Sequence, residues 1–126
     1  VKIPDAPKGE TSHVPLGTLF GARSGDKGGC ANLGVWAKDL DAFAFLSSFL
    51  TIEKLKELMP DLKEFKIERF DLPNILSLNF YIHDILEDGV SSNSRKDAQA
   101  KSLGEYLRAK KANIPSSLLE TLNESK

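Results

Sequence analysis

Seven consecutive residues, Arg23-Ser24-Gly25-Asp26-Lys27-Gly28-Gly29, gather three glycines and three ionisable side chains in one short stretch. Glycines let a ligand approach the backbone amides, and Arg23 and Lys27 are suited to hold a phosphate or carboxylate. Asp26 could act as an acid or base, orient a cation, or pair with Arg23, and Ser24 could donate to an oxyanion or cap a turn. The plain alternative is a hairpin tip whose glycines serve turn geometry and whose charges are solvated. Both readings stay open on the residues alone. The stretch is not a phosphate-binding P-loop, because the G-x-x-x-x-G-K-[ST] pattern is missing and no helix clearly follows.

Asn79 stands among apolar neighbours in Leu72-Pro73-Asn74-Ile75-Leu76-Ser77-Leu78-Asn79-Phe80, and a buried amide must find hydrogen-bond partners. It is read first as an anchor for the glycine-rich stretch and second as a ligand contact. Asn32, just beyond the glycines, could complete the same site. Arg95, Lys96 and Lys101 surround a helix start, as a solvated cap or as a second anion-contacting edge. The two histidines, His13 and His83, sit in a terminal arm and near an element's end, so neither a metal site nor a histidine relay is expected. Cys30 reads as a small packed residue; Lys27 nearby could activate its thiol, but sequence places no base partner beside it.

These residues need a scaffold, and 126 residues are enough for one domain with a real core. Hydrophobic residues make up 40% and charged residues 28%, as in ordinary globular chains, and the formal charge of −1 leaves no electrostatic footprint for nucleic acid. No apolar run reaches the ~18 residues of a membrane span, so no membrane partner is expected. A single cysteine excludes an internal disulfide and fits a reducing compartment, the cytoplasm or an organelle matrix if a targeting segment has been removed. The residues leave the cofactor unknown.

Along the chain, residues 1–13 read as an extended arm, 14–112 as the domain and 113–126 as a tail with a short amphipathic run at Leu118, Leu119 and Leu122. A strand is expected within Val14 to Ala22, then the glycine-rich loop, then a strand from Ala31 to Ala37. Helical spacing of Phe43, Leu46, Phe49 and Leu50, capped by Asp39 or Asp41, precedes a second helical run capped by Thr51 and stopped by Pro60. Phe65 to Phe70 alternates as a strand. Asn74 to Leu86 satisfies both periods, and Leu76, Phe80, Ile85 and Leu86 on one face favour a helix. Asp97 to Lys110 reads as a helix with Ala100, Leu103, Tyr106 and Leu107 inward.

The run Ala22-Arg23-Ser24-Gly25-Asp26-Lys27-Gly28-Gly29 followed by Ala31-Asn32-Leu33-Gly34-Val35-Trp36-Ala37 resembles the signature of the AtuA-like carboxy-terminal domain. The resemblance continues through Leu72-Pro73-Asn74, Leu78-Asn79-Phe80 and Gly89-Val90. It weakens near Ser94 to Lys101, where the family usually has Gly at the place of Ala100 and an apolar residue at that of Lys96. It implies an α+β fold, a two-layer ferredoxin-like sandwich of a small sheet and helices. In AtuA proteins, named for acyclic terpene utilization, a similar domain follows a much larger one. The resemblance therefore implies a small accessory or binding subunit acting with a large AtuA-type partner, in catabolism of acyl-CoA or terpenoid type.

Two other roles are weighed beside that one. A free-standing hydratase, lyase or isomerase would use Asp26 as acid or base and Arg23 and Lys27 as clamps on an anionic acyl substrate. A homo-oligomer would bury an open sheet face against a second copy.

Overall fold

The computed structural model describes residues 5, 7, 9–27, 30–83 and 103–124. Its centre is a four-stranded antiparallel sheet in the order β2-β3-β5-β4, formed by β2 (Gly21–Lys27), β3 (Cys30–Trp36), β4 (Ile67–Leu72) and β5 (Ser77–Ile82). Because β5 runs antiparallel to both β3 and β4, those two strands run the same way. The connection between them must therefore cross a face of the sheet, and it carries α1 (Leu40–Phe49) and α2 (Ile52–Leu58). A crossover with one strand inserted into the gap is the split β-α-β of ferredoxin-like folds. The expected α+β two-layer, ferredoxin-like sandwich is thus the observed one.

Local sequence sets the helix starts. Asp39 accepts a hydrogen bond from the Ala42 amide at 2.8 Å, and Thr51 accepts one from Lys54 at 3.0 Å, so each cap satisfies an amide the helix leaves open. Both were expected. Between them Leu50 breaks the helical path, which makes two helices rather than one.

Strand alternation then divides the sheet into two faces. Ala31, Leu33 and Val35 of β3, with Leu78, Phe80 and Ile82 of β5, turn toward the helices and are nearly or fully inaccessible. They meet Phe43, Leu46, Leu50 and Leu55, and Phe20, Phe45 and Phe49 stack beside them with centroids 6.1 and 5.2 Å apart. The helical residues 103–109, here α3, close the same face over β2. Leu103 and Leu107 are buried, and a Cβ on Gly104 would lie 3.2 to 3.3 Å from the backbone of Ala22 and Arg23.

A second, two-stranded sheet pairs β1 (Thr11–Pro15) with β6 (Lys111–Pro115), and α4 (Ser116–Glu124) follows directly. Arg108 joins it to the main sheet by donating to the Phe20 and Gly17 carbonyls, fixing the turn that enters β2.

Several expectations change. The strand expected within Val14 to Ala22 is interrupted by a 3-10 turn at Leu16–Thr18, because Leu16, Leu19 and Phe20 all go into the core rather than alternating. Thr11 to His13, read as arm, pair with the strand that opens the tail. The glycine-rich loop is for the most part strand: every residue from Arg23 to Lys27 has a register partner on β3. Asn74 to Leu86 is not helical across its described part. A 3-10 turn at Pro73–Ile75 leads through Leu76, at a left-handed φ of 54°, into β5, and burial of Leu78, Phe80 and Ile82 decides for period two. Tyr106, expected inward, is 55% exposed. Ala100, Arg95, Lys96, Lys101 and Gly89-Val90 lie outside the described residues.

Candidate functional site

The sheet face turned away from the helices carries the chemistry. Alternation places Arg23 and Gly25 of β2, Asn32, Gly34 and Trp36 of β3, Ser77, Asn79 and Tyr81 of β5, and Glu68, Phe70 and Leu72 of β4 on this outer side. Register aligns them in rows across the strands: Gly25, Asn32, Tyr81 and Glu68; then Arg23, Gly34, Asn79 and Phe70; then Gly21, Trp36, Ser77 and Leu72.

At its centre the Asn32 Nδ2 donates to Asn79 Oδ1 at 2.7 Å, joining two residues 47 positions apart. That bond uses one donor and one acceptor. It leaves Asn32 Oδ1, the second Asn32 N–H and both Asn79 N–H groups without partners among the described residues. Glycine keeps the surrounding floor low. A Cβ on Gly25 would meet nothing within 4 Å, and one on Gly34 would come only to 3.8 Å of the Arg23 carbonyl and 4.0 Å of Asn79 Oδ1. At Gly21 the space is taken: a Cβ there would run into the Trp36 indole, which lies over that glycine.

Apolar side chains border this floor on one side. Trp36 is 43% exposed, Phe70 48% and Leu72 41%, with Ile75 beyond them in the 3-10 turn. Toward the β2–β3 tip the face becomes titratable. Tyr81 meets His83 edge-on, centroids 4.9 Å apart, and His83 Nε2 lies 2.6 Å from Glu68 Oε1. A hydrogen bond with Cys30, and then the charge of the same group, push the Tyr81 hydroxyl above its ordinary value of 10.0, with burial and the Glu68 carboxylate adding less.

Sequence-selected residues divide between the two sides. Arg23, Gly25, Asn32 and Asn79 share the outer face, and the amide pair accounts for both asparagines. Ser24 lies opposite buried Leu33, and its Oγ accepts a hydrogen bond from the Gly104 amide at 3.0 Å, so it ties α3 to β2. Asp26 and Lys27 are placed in register with Ala31 and Cys30, but their side chains, like Gly28 and Gly29, lie outside the described residues. Among the described residues no cluster of metal-binding side chains occurs, and no helix is long and apolar enough to cross a membrane.

Sequence reasoning passed over Trp36, Phe70, Tyr81, Glu68 and His83. Their common face follows from the two-residue period of β3, β4 and β5, but reading β5 as a helix scattered them.

No curated protein and no solved structure matches the chain. A family model described as the AtuA ferredoxin-like domain matches residues 14–113, from β1 into β6 and so across the whole main sheet. The chain therefore belongs to the AtuA ferredoxin-like domain family.

Proposed function

We propose that this domain is a binding subunit whose outer sheet face recognises a larger AtuA-type partner. One observation carries the reading: an amide pair whose remaining hydrogen-bonding groups have no partner among the described residues lies on a glycine floor beside exposed Trp36, Phe70 and Leu72. Exposed aromatics next to directional polar groups are the usual composition of an interface centre, where a few such residues carry most of the affinity. Arg23 adds an exposed cation in the row of Asn79, suited to a carboxylate on the partner or on a ligand held between the two.

The pathway type implied by the resemblance, breakdown of branched acyl thioesters, gives that shared ligand a chemistry. Its apolar chain would lie along Trp36, Phe70 and Leu72, and its carbonyl and anionic groups would meet the amide pair and Arg23. In this reading the glycine-rich strand supplies access rather than catalysis, and Asp26 is not required.

The test is calorimetric titration of the full chain with a purified large AtuA-type domain. Trp36→Ala, and the double change Asn32→Ala with Asn79→Ala, should each weaken the complex about tenfold or more. Lys56→Ala, on α2, should leave it unchanged. Absence of a complex, or equal affinity in all four proteins, would refute the proposal. A second copy as the occupant would appear instead as a dimer of the chain alone, lost on Trp36→Ala.

A further inference from the structure

Where the outer face approaches the β2–β3 tip, four titratable side chains from three strands meet in a continuous line. Cys30 of β3 lies near enough to Tyr81 of β5 to raise the proton affinity of its hydroxyl. The Tyr81 ring contacts His83, and His83 holds Glu68 of β4 through Nε2. Register brings Cys30 and His83 together as well. Ala31 pairs with Ile82, the last residue of β5, and the next positions outward are Cys30 at the start of β3 and His83 just past the end of β5. None of the four belongs to the buried core, and His83 and Glu68 keep 25% and 44% of their side chains accessible.

These groups divide the labour that nucleophilic chemistry requires. A carboxylate only accepts, so the contact with Glu68 is made by a proton on His83 Nε2, and in the neutral ring Nδ1 is then the basic nitrogen. The thiol is the soft nucleophile. The Tyr81 hydroxyl is a donor available to sulfur or to a developing oxyanion.

We propose that Cys30, Tyr81, His83 and Glu68 form a nucleophilic thiol site for α,β-unsaturated carbonyl compounds. His83 Nδ1 takes the proton from the Cys30 thiol as Sγ bonds to the β-carbon. The π pair of the double bond moves through the α-carbon to the carbonyl oxygen, where the Tyr81 hydroxyl stabilises the enolate. His83 then returns the proton to the α-carbon. The product is the saturated thioether, with no leaving group and no oxidant. This electrophile class fits the surroundings, because Asn32 is the register neighbour of Tyr81 and offers a further N–H to the carbonyl. Glu68 is a positioning residue, acting through His83. The inference does not depend on a larger partner.

N-ethylmaleimide, a compact α,β-unsaturated dicarbonyl, is the probe. The chain has one cysteine, so a single addition seen by intact mass reports on Cys30 alone. At neutral pH the intact 126-residue chain should react about tenfold faster than N-acetylcysteine, although Cys30 is half-buried. His83→Gln, which keeps a hydrogen-bonding group toward Glu68 but cannot carry the proton, should fall to the N-acetylcysteine rate, and Glu68→Gln and Tyr81→Phe should lie between. His83→Ala separates chemistry from access: removing the ring opens the thiol, so a purely steric role predicts faster labelling and the proposed role slower. A wild-type rate at or below that of N-acetylcysteine would overturn the site, as would labelling unchanged or accelerated by both His83 substitutions.

Discussion

The two faces of the central sheet are built from the same strands and do opposite work. On β5, Leu78, Phe80 and Ile82 are fully buried against the helices, while the intervening Ser77, Asn79 and Tyr81 stay partly accessible on the other side. The inner face is closed by volume, with large apolar side chains interdigitating. Its outer counterpart holds glycines, paired amides and titratable groups where a stability-driven surface would place β-branched or long charged residues. The contrast teaches that the inner side makes the fold and the outer side is available for recognition, so substitutions on the two sides should separate stability from binding.

The largest effect expected concerns two phenylalanines in neighbouring strands. Phe80→Ala removes a fully buried ring and should cost about 3–5 kcal/mol in urea unfolding, enough to threaten folding. Phe70→Ala, at a side chain 48% exposed, should stay within about 0.5 kcal/mol of wild type. Similar losses for both would mean that the outer face is part of the core.

Glycines sharpen the same comparison. Gly104 packs against β2 so closely that a Cβ would press on the Ala22 and Arg23 backbone, which cannot move without shifting the strand. Gly104→Ala should therefore destabilise by about 1–2 kcal/mol, overpacking outweighing the ~1 kcal/mol gain in helix propensity. Gly25→Ala on the outer face enters open space and should change the midpoint of thermal unfolding little. Gly21→Ala would displace the indole of Trp36, the only tryptophan, and its fluorescence emission should shift to the red.

The smallest effect is alkaline. The folded Tyr81 keeps its proton to a higher pH than its ordinary value of 10.0, so above that pH the unfolded chain ionises first. Stability contributed by this group is complete below about pH 10 and is lost as pH rises through the folded value. Tyr81→Phe should flatten that decline in a series of denaturation curves, and an unchanged slope would remove the coupling to Cys30.

What the sequence disclosed depended on the range of the interaction that decides each element. Asp39 and Thr51 cap helices through bonds three residues long, and both were legible. β5 was not, because Leu76, Phe80, Ile85 and Leu86 match a helical face as well as Leu78, Phe80 and Ile82 match a strand. Contacts with β3 and β4 resolve that tie. The glycine-rich stretch looked like a loop for the same reason: its partners on β3 lie beyond the local window, and glycine disguises a strand whose outer side is bare. Asn32 and Asn79 were selected separately, but their pairing crosses 47 residues. Cys30, Tyr81, His83 and Glu68 are brought together only once three strands are in register. The family motif compensated in part, since it named the fold that composition alone left open.

The central claim is that recognition belongs to the outer face. The most direct measurement is an NMR titration of the isotope-labelled chain with a purified large AtuA-type domain, following the Trp36 indole N–H and the side-chain amides of Asn32 and Asn79. The account predicts that these three signals move together and saturate at one equivalent, while amides of α1 and α2 stay in place. Movement confined to α1 and α2, with the Trp36, Asn32 and Asn79 signals unchanged, would contradict it.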